Sequence, residues 1–397
     1  MSWFFGELQS NISSGRIKHL SSIHSTPLHT IATDNFYFAT GGINETCFCD
    51  SMNEKKENGF CVVGVGLKCN EIDCIVLSQS DWKNILASEK RAELLQQLDE
   101  HFAIVVWNGN AIECFTDQMG LRTIYFSKSE NGIVFSTRLD WIAQAGENNE
   151  IDFAAFGSRW LTFNQCSFKS LVHGIERLGP NGVAHINARS VTMRSKLWSP
   201  TFSKITIEEF LANLCAFLNP KNDFGLSLSF GLSGGTDSRF LLSLLMHKGL
   251  HNFSLHTFGR PQHPDVSIAK RIAETVHIPH TLFDEPFPEI DTCIAMIKDF
   301  QAHTCSMEPA SKIMITRYYN DIHVQRKIII DGGYVEIIRR QLYNRLLLKG
   351  KGILKKKLLY ATPLHTRSLI PFVMVHKPDI FLKECASVMF AGAESDF

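Results

Sequence analysis

Ser233-Gly234-Gly235-Thr236-Asp237-Ser238 is the stretch of this sequence best suited to chemistry. Two adjacent glycines let main-chain N–H groups approach a bulky anion without Cβ obstruction. Ser233 and Ser238 add a hydroxyl donor at either end. Asp237 would repel phosphate, so its presence makes sense as a ligand for a bridging Mg²⁺. The plain alternative is a tight strand-to-helix turn with Ser or Asp as cap, but the full SGGxDS string favours a nucleotide polyphosphate. It is not a Walker loop, which needs GKS or GKT, nor the dinucleotide fingerprint with its three spaced glycines.

Such a loop needs a strand before it and a helix after it. Leu226–Leu232 reads as the strand and Asp237–His247 as a strongly apolar helix. Upstream, Ile205–Leu218 reads as a helix with Thr206 as a cap near its start. Downstream come a strand at Phe253–Phe258, a helix at Asp265–His277 and a strand at His280–Phe283. Asp265 reads equally as a nucleotide or substrate contact and as a simple N-cap of its helix. A helical stretch from Glu289 to about Gln325 precedes a fourth strand at Lys327–Ile330. Alternation of this kind demands parallel pairing through helical crossovers, hence an α/β domain.

The first half has a different texture. Short β-branched and aromatic runs recur at Gly59–Gly66, Phe102–Trp107, Ala111–Phe115, Thr123–Phe126, Ile133–Ser136 and Gly182–Ile186. Turn residues such as Asn108-Gly109-Asn110 separate them. Helices are expected at Asp81–Leu98 and Asp152–Trp160, giving an α+β domain around an antiparallel sheet. Trp198-Ser199-Pro200-Thr201 reads as the boundary, so the expected domains are 1–199 and 200–397.

Composition narrows the setting. The chain has 397 residues, and Lys+Arg 40 balances Asp+Glu 40, so no net field draws nucleic acid or membrane to it. Apolar runs such as Leu369–Val375 are too short to cross a bilayer, and Met1–Glu7 does not read as a signal peptide. Eleven scattered cysteines suggest no disulfide scaffold, and a reducing, cytoplasmic compartment is expected. Cys47-Phe48-Cys49 lacks the second pair or flanking histidine of a zinc site. Arg339, Arg340, Arg345, Lys349, Lys351 and Lys355–Lys357 form a basic run. Arg339 and Arg340 are its candidates for neutralising pyrophosphate; Arg260 and Lys270 read as a solvated face.

The SGGxDS loop resembles the PP-loop of the N-type ATP pyrophosphatases, and motifs over residues 60 to 340 or so resemble the asparagine synthetase-like branch. Asp117-x-x-Gly120-x-Arg122-x-x-Tyr125, ahead of Gly132–Ser136, is similar to the class II glutamine amidotransferase-like N-terminal domain. Leu178-Gly-Pro-Asn-Gly182 resembles the segment entering the synthetase domain. The implied folds are an Ntn-hydrolase-like domain followed by an adenine nucleotide α-hydrolase-like domain. By the same resemblance, Leu232, Ser233, Gly234, Gly235, Thr236, Asp237, Ser238, Phe258, Gly259, Asp331, Gly332 and Gly333 would bind ATP. Asp237 and Glu336 would hold Mg²⁺, and Asp237, Glu336 and Arg339 would be the catalytic set.

Two departures shape the expected function. Position 2 is Ser2, where the amidotransferases have a nucleophilic cysteine. β-Lactam synthetase and the lasso-peptide cyclases are similar in lacking it; their N-terminal domain is structural. Asp331-Gly-Gly-Tyr-Val-Glu336 stands where asparagine synthetases carry Gly-x-Gly-x-Asp-Glu, with Glu in place of Asp. The resemblance therefore implies an ATP- and Mg²⁺-dependent ligase. It would adenylate a small-molecule or peptide carboxylate and pass it to an amine, releasing AMP and pyrophosphate. The alternatives are asparagine synthetase proper, using ammonia or glutamine, and a non-catalytic nucleotide-binding subunit. A homodimer or a partner in a biosynthetic complex is the expected protein contact.

Overall fold

The structure is a computed structural model that describes residues 2–330 apart from 25, 52–56, 71–72, 110, 131, 147–149, 157–168, 197–203, 223, 251, 285, 305–317, 319–321 and 323. Its described residues fall into two units, neither continuous in sequence. Ser2–Gly64 and His101–Trp198 make the first; Val65–Glu100 and Ser199 onward make the second.

The first unit is built from antiparallel strands. They are β1 (Trp3–Gln9), β2 (His29–Ala32), β3 (Phe36–Gly41), β4 (Cys47–Ser51) and β5 (Asn58–Gly64) before the break. Strands β6 and β7 belong to the other unit and are ranged below. After the break come β8 (Phe102–Asn108), β9 (Ala111–Thr116), β10 (Tyr125–Lys128), β11 (Gly132–Ser136), β12 (Ile175–Arg177), β13 (Val183–Asn187) and β14 (Ser190–Arg194). Two six-stranded sheets result, ordered β12-β10-β11-β1-β3-β2 and β14-β13-β9-β8-β5-β4. Phe4, Leu8 and Phe38 of one sheet share a core with Val63, Val105 and Trp107 of the other. On the far face of the first sheet, Trp3, Phe5 and Tyr37 pack with Leu20 of α1 (Ser14–Ile23) and Trp141 of α4 (Leu139–Ala145). Each such large side chain contributes about 1.5–3 kcal/mol on burial.

The second unit contains the hairpin β6 (Leu67–Cys69) and β7 (Cys74–Val76), whose Cys69 and Cys74 are joined as a disulfide. Helices α2 (Gln79–Ala87) and α3 (Arg91–Leu95) follow. They replace the single helix expected over Asp81–Leu98. Ser78 starts the first with a capping box to Asp81, and Ser88 turns to extended backbone and ends it. The segment is tied to the second half of the chain at Lys221. Its amide donates to the Cys74 carbonyl, its carbonyl accepts from Val76, and its ammonium pairs with Asp73 at 2.7 Å.

The remainder is α5 (Ile207–Leu218), β15 (Ser227–Gly231), α6 (Thr236–His247), β16 (Phe253–Phe258), α7 (Pro264–Val276), β17 (His280–Phe283), α8 (Ile290–Thr304) and β18 (Lys327–Ile330). Thr206 caps α5 through a capping box with Glu209. The four strands pair in parallel in the order β17-β16-β15-β18. Phe230, Leu255 and Leu228 pack with Cys215 and Leu218 of α5, Leu241, Leu242 and Leu245 of α6 and Ala269 and Ala273 of α7. A parallel α/β sheet and a separate antiparallel region are thus both present, and β15 delivers the chain straight into the glycine pair.

Candidate functional site

Leu232 is buried and fixed to the neighbouring strand: its amide donates to the His256 carbonyl at 2.9 Å, and its carbonyl accepts from Thr257 Oγ1 at 2.7 Å. Ser233 leaves the sheet, and α6 begins at Thr236 with Gly235 as N-cap. Gly235 provides no side-chain cap, so the first-turn amides of α6 receive no help from that position. Ser238 folds back from the first turn. Its Oγ accepts from the Ser233 amide at 3.1 Å and lies 3.0 Å from Ser233 Oγ, which in turn accepts from the Gly235 amide at 3.2 Å. These bonds fix the loop shape while leaving the amides of Gly234 and Thr236 without a partner among the described residues.

Gly234 is required by close approach. A Cβ there would lie 2.6 Å from Asp265 Oδ1 and 2.9 Å from Asp265 Cα, a backbone atom that cannot swing aside. The N-cap expectation for Asp265 is corrected at this point. The cap of α7 is His263, whose Nδ1 accepts from the Asp265 amide at 3.3 Å; Pro264 opens the helix and Asp265 sits in its first turn. Pro at the first helical position displaces the cap by two residues. Asp265 thus brings a carboxylate beside the glycine loop.

Asp237 lies in the first turn of α6, half-buried, its carboxylate at the positive end of the helix dipole. Among the described residues no group of three or more His, Cys, Asp or Glu side chains could hold a metal. Magnesium arriving with a polyphosphate needs only one or two carboxylates, because phosphate oxygens and water complete its shell. Asp237 fits that role. Asp331, Gly332, Gly333, Glu336 and Arg339 lie outside the described residues. In strand β18, next to β15, Ile330 pairs with Phe230.

A cavity of about 340 Å³ opens at the carboxyl ends of β16 and β17, and no residue of the glycine loop lines it. Phe258, Phe283 and Tyr318 line it in a stack, with ring centroids 4.9 to 5.8 Å apart. Gly259, at φ +130, Arg260 and Asp284 complete the mouth. Sequence reasoning found Phe258 and Gly259 but not Phe283 or Tyr318. Phe283 was visible in principle, since β16 and β17 both end on Phe. Arg260 and Lys270 are both exposed, as expected; Arg260 also borders this cavity, and Lys270 lies 4.0 Å from Glu274.

The amidotransferase-like motif has its own geometry in the antiparallel unit. Asp117 is fully buried, and its carboxylate accepts from the amides of Met119, Leu121 and Arg122 at 2.8 to 3.0 Å. Burial pushes its pKa up in spite of these three donors. Gly120 turns at φ +65, and a Cβ there would meet Pro180 at 3.0 Å, so this motif and Leu178–Gly182 shape one another. Arg122 extends to donate to the Ser2 carbonyl at 2.7 Å; burial lowers its pKa to about 10. Ser2 is 1% exposed. Its Oγ donates to the Ile43 carbonyl at 3.1 Å, accepts from the Ile43 amide at 3.0 Å and lies 2.7 Å from Thr46 Oγ1.

No helix among the described residues is long and apolar enough to cross a membrane. No family model matches the chain, and no curated protein matches it. Among solved structures, glutamine phosphoribosylpyrophosphate (PRPP) amidotransferase from B. subtilis, complexed with ADP and GMP, is similar at 10% identity. That match covers 73% of this chain and 70% of that one, with a TM-score of 0.32. A structure described as the allosteric regulatory enzyme of purine biosynthesis gives 10% identity over 73% and 69% of the two chains, with a TM-score of 0.31. Scores of this size do not establish a shared overall fold, and the functional reading rests on the site itself.

Proposed function

We propose that the protein is an ATP- and Mg²⁺-dependent ligase that adenylates a carboxylate and passes the acyl group to an amine. The observation that carries the reading is the loop between β15 and α6: a helix start with no side-chain cap, two amides without a partner among the described residues and a glycine pair at the carboxyl edge of a parallel sheet. Ligands of α/β sheets bind at that edge. Gly234 and Thr236 would bind phosphate oxygens through their amides, and the Ser233–Ser238 hydroxyl pair would reorient toward the anion. Asp237 would hold magnesium, which supplies charge neutralisation for the leaving pyrophosphate. The stacked Phe258, Phe283 and Tyr318 offer a flat apolar wall of the kind a purine ring packs on.

The antiparallel unit is read as structural. A nucleophile must reach its substrate, and the Ser2 hydroxyl is buried and engaged by Ile43 and Thr46. The amine therefore comes from ammonia or from the substrate rather than from glutamine hydrolysed at Ser2. ATP–pyrophosphate exchange across a panel of carboxylates tests this reading. Exchange with one carboxylate that disappears in Asp237→Asn supports it. Nucleotide binding with no exchange for any carboxylate favours the non-catalytic subunit instead.

A further inference from the structure

Three neighbouring thiols of the antiparallel unit, Cys47, Cys49 and Cys61, have no role in the nucleotide reading. Cys47 and Cys49 are two residues apart on β4, so their side chains share one face. Cys61 on β5 is the direct cross-strand partner of Cys49, and such partners have Cβ atoms about 4.5–5.5 Å apart. Thr40 Oγ1 lies 3.2 Å from Cys47 Sγ and 3.3 Å from Cys61 Sγ, so one hydroxyl gathers two of the sulfurs. Cys69 and Cys74 stand in the same cross-strand relation on the β6–β7 hairpin, and there the bond is closed. Cys61 and Cys47 are buried, whereas Cys49 is half-exposed and offers the way in. A hydrogen bond from Cys61 lowers the Cys47 pKa, while burial raises that of Cys61.

We propose that Cys49, Cys61 and Cys47 form a reversible thiol-oxidation site whose co-substrate is a small, low-molecular-weight disulfide. The Cys49 thiolate attacks one sulfur of that disulfide; its S–S bond breaks, and one half leaves as a thiolate that takes up the proton Cys49 gave away. Cys61, deprotonated in turn, attacks the Cys49 sulfur. The second half leaves and is protonated, and a Cys49–Cys61 bond forms. Two protein thiols have then lost two electrons, and the small disulfide has become two thiols. Exchange by Cys47 onto Cys61 moves the bond inward and returns Cys49 to the thiol. Cys47 directly follows Thr46, whose Oγ1 lies 2.7 Å from Ser2 Oγ.

Cys114 provides an internal reference. It faces the same core but lies two strands from Cys61, through Val105. That separation is roughly 9–10 Å, beyond disulfide reach. The test uses the folded full-length protein with oxidised glutathione at neutral pH, alkylation, and digestion without reduction. The expected result is a peptide joining Cys61 to Cys49 or Cys47, with Cys114 alkylated only after unfolding. In Cys61→Ser, glutathione should remain on Cys49 about tenfold longer or more. Because that substitution is buried, Cys49→Ser is the second variant; oxidation of Cys61 should slow there by about tenfold. The proposal is overturned if all three thiols stay fully alkylatable, if Cys114 oxidises as fast as Cys61, or if the Cys49 adduct has the same lifetime with and without Cys61. None of these readouts depends on nucleotide binding.

Discussion

Ser2 and Ser233 mark two regions with opposite polar accounts. Around Ser2 most donors and acceptors are matched: its hydroxyl meets Ile43 and Thr46, its carbonyl meets Arg122, and three amides converge on Asp117, while Arg122 Nε alone in this group is buried with no hydrogen-bond partner among the described residues. Around Ser233 the hydroxyls satisfy one another, yet the amides of Gly234 and Thr236 point away from any described partner. A matched buried network specifies a conformation. Unmatched amides at an exposed helix start are what an anion can use. This contrast is the ground for proposing nucleotide binding in the parallel unit and not at Ser2.

The strongest way to break that contrast is Gly234→Ala. The new methyl would force Asp265 backbone and loop apart, and we expect nucleotide affinity to fall by about tenfold or more, equivalent to at least ~1.4 kcal/mol. Calorimetry on the folded variant checks it, and unchanged affinity would show that phosphate does not sit against these amides. On the other side, Arg122→Met removes a charge-assisted bond to the Ser2 carbonyl and should cost about 1.5–3 kcal/mol in urea unfolding, with nucleotide affinity unchanged. Ser2→Ala should cost about 1 kcal/mol and leave pyrophosphate exchange intact. Loss of exchange in Ser2→Ala would contradict a purely structural role.

The smallest expected effect sharpens the comparison within the parallel sheet. His280 Nε2 lies 2.8 Å from Thr257 Oγ1, and burial lowers its pKa, with Lys270 adding to the shift. A histidine whose native value is lowered binds fewer protons folded than unfolded. Stability should therefore rise with pH between the native value and about 6.5, and be lost as pH falls through that interval. His280→Gln keeps a partner for Thr257 and should flatten the profile between pH 5 and pH 7, about the range where histidine titrates. An unaltered slope in thermal unfolding would mean that another group carries the dependence.

Legibility followed local pattern. Strands β16, β17 and β18 match their expected limits, because each is a short apolar run between turn residues and helices. The helix capped by Thr206 is equally plain, since its capping box lies within four residues. Strand β1 escaped notice: all seven of its residues are buried, so the alternation that betrays a half-exposed strand is missing. The expected helix at Asp81–Leu98 broke at Ser88, where one backbone rotation outweighs an otherwise helical composition. That residues 65–100 group with the second half depends on the bridge at Lys221, a long-range contact with no local signature. At the site, the glycine loop was readable as a string, whereas Asp265, Phe283 and Tyr318 arrive from separate elements.

The most direct test of the central claim is a calorimetric titration of the full-length protein with magnesium and a non-hydrolysable ATP analogue, run beside Gly234→Ala. A saturable one-site isotherm for the native chain, weakened about tenfold or more in the variant, is the predicted result. No heat with the native chain, or the same isotherm for both proteins, would contradict it.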